Sequence, residues 1–429
     1  MDVRKTVLSS GYLQLLKSDF RQLALVIPVA LGTGLIVAFF LWLLDAAIAF
    51  QIANSWTIFL LPLAGVGVHL IYKSVGKSSE RGNNLIIDEI HEPKSRVPVL
   101  MAPVILFTTV VTHLFGGSAG REGTAVQIGG GIAGLYARTF KLGSADSRML
   151  LIAGVSAGFG AVFGTPLAGA IFGVEMLTVR KIKLDALLPA LVSSTLADLI
   201  VSATGIHHTR YQIADLMNHT YFLSDYLPFD LTTIGKAGIA AVLFGFASWL
   251  FSNLMHQVKH IMQKLIRTQW LIPVTGGLII ILLTMLNGKT DYLGLGIAAS
   301  HQGAVTIPSA FTTGGADSFS WLWKTVYTSI TLGTGFKGGE VTPLFYIGAT
   351  LGNSLAALLN APVSLFAALG FIAVFSGATN TPLASTIMGA ELFGGHYVAL
   401  FAIVCYIAAY CSGKGGIYSA QRLVLPKDL

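Results

Sequence analysis

Glu122 lies in Gly120-Arg121-Glu122-Gly123-Thr124, and Glu340 in Gly338-Gly339-Glu340-Val341-Thr342; the two acids are 218 residues apart (340 − 122). Each is flanked by glycine and opens an apolar stretch. An ionised side chain in hydrocarbon is costly enough that it usually marks a substrate or proton route. Interrupted segments at corresponding positions of two halves point to a transporter's binding site. At a helix start such an acid has two readings. It is favoured by its own helix dipole, or its carboxylate competes with a transported anion for the same N–H groups, and protonation then neutralises and frees it.

Gly82-Asn83-Asn84 follows a basic linker and offers asparagine caps and amide donors, either for ordinary helix capping or for an anion at Asn83. Glu175 and Glu391 lie well inside their helices, where structural hydrogen bonding or subunit packing is expected. Arg121 and Lys337 stand beside helix starts and are expected to snorkel or pair. The adjacent His207 and His208 lack a carboxylate or cysteine set, so no metal is assigned. His91-Glu92-Pro93 lacks the second histidine of a zinc-protease motif, no Walker sequence occurs, and the Gly-Thr-Gly at 333–335 has no strand and crossover around it. No cofactor is expected. Cys405 and Cys411 read as packing residues, and two cysteines exclude a disulfide framework.

The elements that position these residues must be membrane helices. Of the 429 residues 54% are hydrophobic and 11% charged, more apolar content than a soluble core hides. Uncharged runs begin at Gln22–Leu44 and Ala46–Tyr72, and the longest, Val341–Ala390, has no Asp, Glu, Lys or Arg. They exceed the segments of about ten alternating residues of an outer-membrane barrel, so the fold class is all-α and polytopic. The 48 glycines favour close helix contact and short, tilted or re-entrant segments. A net charge of +7 would suggest nucleic acid in a soluble protein, but the basic residues flank the spans. Arg4, Lys5, Lys17 and Arg21 precede the first and Lys414, Arg422 and Lys427 follow the last, which puts both ends in the cytoplasm. Residues 205–230, with Asp215, Asp225 and Asp230 against Arg210, read as an external loop. Gln22–Leu44 is too long for a signal-peptide core and is expected to be retained.

The chain repeats itself. Thr165-Pro166-Leu167-Ala168, followed by Ile171, Gly173 and Glu175, aligns with Thr381-Pro382-Leu383-Ala384, Ile387, Gly389 and Glu391 at an offset of 216 (382 − 166). Halves with an odd number of crossings insert upside down relative to one another, and this inverted plan brings both acids to one midplane site more naturally than parallel halves. Each Thr-Pro reads as an N-cap followed by proline at the first helical position. Several helix N-termini aimed inward create a positive, dehydrated anion site.

These residues resemble the CLC anion channels and transporters, from the first span to Tyr418. Gly120-Arg121-Glu122-Gly123-Thr124 is similar to the family's Gly-Arg-Glu-Gly-Pro motif with threonine last, and the resemblance puts Glu122 on the gating glutamate. Gly339-Glu340-Val341-Thr342-Pro343 is similar to the second-half motif that cradles the anion, with Val341 where most relatives have phenylalanine. Tyr418 falls on the tyrosine lining the inner anion site. Asn83 after Gly82, the Thr124 ending and Gly-Glu-Val-Thr-Pro look like the fluoride/proton antiporter branch, CLC-F. Met176 stands where many proton-coupled relatives carry an internal glutamate, which puts a separate inner proton relay in doubt.

The resemblance implies a CLC fold of two inverted repeats with broken helices and a fluoride/proton antiporter exporting F− against H+, with Glu122 as the protonatable gate. The implied anion-binding residues are Asn83, Gly123, Thr124, Glu340, Val341, Thr342 and Tyr418. Fluoride is small and strongly hydrated, so short hydrogen bonds from backbone N–H groups, the Thr342 hydroxyl and the Asn83 amide are expected, with the positive edge of Tyr418. The expected organisation is a cytoplasmic segment 1–21, membrane repeats 22–204 and 231–418 joined by the loop 205–230, and a cytoplasmic tail 419–429, with no room for regulatory domains after Tyr418. The setting is a bacterial inner membrane, the partners are the lipid bilayer and a second copy, and no nucleic acid is expected. The rivals are a chloride/proton antiporter or passive chloride channel of the same fold, an intramembrane enzyme, for which no nucleophile is found, and a cation transporter, which the helix N-termini disfavour.

Overall fold

The computed structural model describes residues 2–94, 97–179, 184–209, 211–213 and 231–423, the side chains of 2–19 and 184 excepted. Arg210, Asp215, Asp225, Asp230 and Lys427, used above to orient the chain, lie outside the described residues, as does most of the expected loop 205–230.

Helices follow one another in two series. The first is α1 (Asp2–Ala53), α2 (Leu61–Ile71), α3 (Asn83–His91), α4 (Met101–Leu114), α5 (Glu122–Thr139), α6 (Ser144–Phe163), α7 (Pro166–Glu175) and α8 (Leu187–Ala203). The second is α9 (Leu231–Leu265), α10 (Leu271–Asn287), α11 (Ser320–Gly333), α12 (Val341–Leu359), α13 (Val363–Thr379), α14 (Pro382–Phe393) and α15 (Val398–Cys411). Among the described residues the only sheet is a two-residue parallel pairing of β1 (Thr178–Val179) with β2 (Arg422–Leu423).

Five helical stretches, including those that contain α1 and α9, are long and apolar enough to cross a bilayer, while α4, α7, α8, α10, α13 and α15 are shorter apolar helices. The long uncharged runs are therefore not single crossings. Val341–Ala390 breaks at Asn360 and Asn380, whose left-handed backbones (φ 48° and 56°) end α12 and α13. Ala46–Tyr72 breaks after Ala53, where a short helix over Ser55–Leu60 leads to Pro62 in the first turn of α2. Charge counting detects spans but not these polar and proline stops.

Packing repeats as the helices do. In one half α5 lies on α6, α6 on α8 and α1 on both α6 and α8; in the other α12 lies on α13, α13 on α15 and α9 on both α13 and α15. The closest contacts correspond as well. A Cβ on Gly129 or Gly348 would overlap the backbone carbonyl oxygen of Gly154 or Gly370 respectively, so glycine is what lets each helix pair touch backbone to backbone.

Between the halves, like packs on like: α2 against α10 and α7 against α14. At the centre Gly120 N donates to Gly339 O (2.6 Å) and Gly339 N to Gly120 O (2.7 Å), an isolated antiparallel bridge. Such a mutual exchange is what a two-fold axis produces when a patch meets its own copy, so Gly120 and Gly339 are counterparts at an offset of 219 (339 − 120). The two halves are inverted repeats about this axis.

Arg21 and Arg422 lie on one face. Arg21 pairs with Asp146 at the start of α6 (2.5 Å), Arg148 Nε donates to Ile90 O (2.8 Å), and Arg422 Nη2 reaches Glu92 (2.8 Å) beside the same helix end. The end of α1 lies on the opposite face, where Asp45 and Gln51 line a cavity of ≈540 Å³.

Candidate functional site

The bridge register changes the pairing of the two acids. Glu122 is the first residue of α5, while Glu340 is the residue preceding α12, so the two-fold sets Glu122 opposite Val341 and Glu340 opposite Arg121. The expectation that the glutamates occupy matching points is corrected by one residue. Only Glu122 hydrogen-bonds to the other half's helix start: Oε2 accepts from Thr342 N (3.0 Å) and Arg121 N (3.1 Å), and Oε1 accepts from Thr342 Oγ1 (2.5 Å). The carboxylate is 1% exposed. It occupies a helix N-terminus as an anion would.

Glu340 turns toward a different space. A cavity of ≈160 Å³ on the face of the chain ends is lined by Asn83, Gln127, Lys337, Glu340 and Tyr418, among others. Asn83 Oδ1, Glu340 Oε2 and Tyr418 Oη are buried there with no hydrogen-bond partner. Buried polar atoms are normally satisfied, so these orphans, with Ser79 Oγ as a fourth on the same lining, describe a space made for a hydrated or ionic occupant. Gly123 keeps it open, because a Cβ at that position would come within 3.2 Å of Asn83 Nδ2 and 3.3 Å of Glu340 Oε2. On the other side of Glu122, a narrow space of ≈20 Å³ is walled by Phe163, Tyr211, Phe345 and Phe371, below the larger cavity that holds Asp45, Arg121 and His301. Phe345 and Phe371 stack at 3.9 Å between ring centroids.

Residues 63–413 match the family described as Voltage gated chloride channel. The chain belongs to this family, the CLC proteins. It is a polytopic membrane protein of a transporter and channel family. Over 417 residues it is 45% identical to the chloride/fluoride channel protein of Pseudomonas syringae pv. tomato, covering 96% of this chain and 88% of that one. It is also similar to the crystal structure of a CLC-type fluoride/proton antiporter, with TM-score 0.86, 32% identity and coverage of 94% and 98%. A slow cyanobacterial Cl−/H+ antiporter shares the fold, with TM-score 0.74, 21% identity and coverage of 93% and 96%.

In this CLC chain Glu122 and Thr342 meet directly, and Asn83, Gly123, Glu340 and Tyr418 converge on the adjoining cavity. Two expected residues stand apart from it. Thr124 Oγ1 is 2.7 Å from Thr109 Oγ1 inside the α4–α5 contact, and buried Val341 is not among the residues lining the cavities described above. The Thr165 and Thr381 side chains make no cap hydrogen bond. Carboxylates from the other half cap those helices instead. Leu383 N and Ala384 N donate to Glu175 (3.0 and 2.7 Å), and Leu167 N and Ala168 N to Glu391 (2.9 and 2.8 Å). The hydrogen-bonding role expected of both acids holds, but not their place well inside the helices: Glu175 is the last residue of α7 and Glu391 is third from last in α14, and these two helix starts are filled by carboxylates rather than open to an anion.

Arg121 Nε lies 3.8 Å from Glu122 and its Nη1 3.9 Å from Asp45, and Lys337 Nζ stands 4.2 Å over the Tyr72 ring. His208 Nε2 is 3.5 Å from Asp198, and no metal-holding group of three ligands occurs among the described residues. Gln127 and His113 were not singled out from the sequence. Gln127 follows Gly123 by one helical turn, which places both on one face; that spacing is the signal that finds it. His113 stands between the carbonyls of Thr109 (2.8 Å) and Ala119 (3.0 Å) and fixes the approach to Gly120. No spacing rule reveals that contact, because it depends on how the chain turns after α4.

Proposed function

We propose that this protein exchanges fluoride for protons across a bacterial inner membrane, exporting F− as H+ enters, with Glu122 as the gate. The observation that carries the reading is the Glu122 carboxylate bound to Thr342 N–H and hydroxyl, between a cavity on each face. A fluoride ion has the charge and acceptor capacity to replace that carboxylate. Protonation neutralises Glu122, weakens its charge-assisted bonds to Thr342 and leaves the helix start to the anion. Deprotonation reverses the exchange.

Thr342 N–H and Oγ–H then hold the dehydrated ion. The Asn83 amide N–H and the unpartnered Tyr418 hydroxyl offer the next donors in the ≈160 Å³ cavity, with Gly123 leaving room and Glu340 bordering the route. Thr124 and Val341 support the helix starts from behind. The 45%-identical relative and the 32%-identical structure both carry fluoride in their names, which supports the branch. Arg21 and Arg422 stand on one face, and the positive residues near both ends of the sequence support reading that face as cytoplasmic. The organisation proposed is two membrane repeats, 22–204 and 231–418, in a homodimer with one pathway per subunit.

The name chloride/fluoride channel of the 45%-identical relative favours a second reading, a passive or chloride-carrying pathway. Purified protein in liposomes separates the two. Fluoride efflux far faster than chloride efflux, with opposite proton movement driven by the fluoride gradient, is the expected result. Equal chloride transport sinks the fluoride assignment, and fluoride movement without protons sinks exchange.

A further inference from the structure

Next to the ≈160 Å³ cavity, on the same face, lies a second of ≈610 Å³ lined by residues from α2, α9, α10 and the segments that follow α2 and precede α12. Lys77, Lys259, Arg267 and Lys337 line it together with His69, against one carboxylate, Glu80. Among the described residues none of the four cations forms an ion pair with a carboxylate. The rest of its wall is mixed, apolar at Val68, Ile266, Ile272 and Pro273 and polar at Gln263, Gln269 and Thr334.

The location is the membrane boundary. The 35-residue α9 is about 52 Å long, well beyond a hydrocarbon core of about 30 Å, so its last turns with Lys259 and Lys264 emerge from the bilayer. Trp270 is 47% exposed at the start of α10, as interfacial tryptophans are, and exposed Leu70, Val75 and Leu271 continue the apolar surface beside the cavity. Unpaired cations beside an apolar surface at this depth match a phosphate above acyl chains.

We infer that this cavity binds the headgroup of an anionic phospholipid, its phosphate among Lys77, Lys259 and Arg267 and its chains along the α2–α10 surface. Lys259 and Lys337 also line the neighbouring ≈160 Å³ cavity, so the lipid neutralises charge beside the ion route. This site is separate from the fluoride reading and does not depend on it.

The test uses the full chain in bilayer discs containing phosphatidylglycerol and phosphatidylcholine, with lipid retention read by native mass spectrometry. Preferential retention of phosphatidylglycerol is expected. Lys77→Gln with Arg267→Gln should lower it about twenty-five-fold, from about fivefold per charge, while Lys77→Arg with Arg267→Lys retains it. Lys73→Gln with Lys264→Gln, at cations outside the cavity, should leave it unchanged. Unchanged retention in the glutamine pair, an equal loss in the Lys73 and Lys264 pair, or displacement of the lipid by inorganic phosphate overturns the proposal.

Discussion

The α7 and α14 starts and the α5 and α12 starts are two pairs of symmetry-related helix N-termini that dispose of their free N–H groups differently. At α7 and α14 the exchange is mutual: each helix donates two N–H groups to the glutamate near the other's end. At α5 and α12 it is one-sided. Glu122 reaches Thr342, but its counterpart is Val341, which has no carboxylate to return. A reciprocal cap satisfies both ends and locks the halves together. A one-sided cap leaves an acid whose place can be taken by another anion, beside a cavity that carries orphaned polar atoms. The same backbone chemistry thus serves as a fastener where the symmetry is kept and as a site where it is broken.

The largest test of this contrast is Glu122→Gln. Proton movement coupled to anion flux in liposomes should fall to background while the thermal midpoint in detergent changes little, because the amide still accepts from Thr342. Persistent coupling would falsify the gate.

Glu175→Ala and Glu391→Ala should behave oppositely. Each strands two N–H groups at the α14 or α7 start, and a buried donor left unsatisfied costs about 1–3 kcal/mol. A clearly lowered thermal midpoint with coupling ratio unchanged is expected; a changed ratio with normal stability would blur the distinction between fastener and site.

Thr342→Val is smaller. It removes the 2.5 Å hydroxyl bond to Glu122 but keeps the N–H. Loss of a hydrogen bond to a charged group, about 1.5–3 kcal/mol, should free the carboxylate more often and appear as anion flux with less proton movement per ion. Tighter coupling would show that the hydroxyl does not hold the gate shut.

The smallest effect lies outside the membrane. Arg422 and Lys94 hold the exposed Glu92 carboxyl below its ordinary range. A lowered carboxylate contributes stability above its unfolded pKa and loses it as the pH falls through the folded value. Arg422→Gln should therefore remove a slight, salt-sensitive stabilisation at neutral pH and make no difference in strong acid, as followed by unfolding at several pH values. An effect that grew on acidification would contradict the pairing.

Thr-Pro-Leu-Ala made the repeat legible because proline and small residues are required at both packed helix starts, and the resemblance located Glu122 and Thr342. The register was not legible. Matching glutamate to glutamate gives 218, whereas the bridge gives 219 and the α7 and α14 starts give 216. The last change arises within one helix, since α6 has 20 residues and its counterpart α13 has 17. Sequence also could not say which acids cap which helices. That choice depends on contacts across the axis, where Glu175 and Leu383 stand 208 positions apart.

The Gly120–Gly339 bridge joins the halves by two short backbone bonds one residue from Arg121 and Glu340. Halves that swung as rigid bodies to open alternate sides would tear this seam at the site itself. Access in this chain is therefore expected to change by turning side chains within a fixed frame. Spin labels on α1 and α9 should report the same separation at acid and neutral pH, and a shift of several ångströms would show that the seam opens.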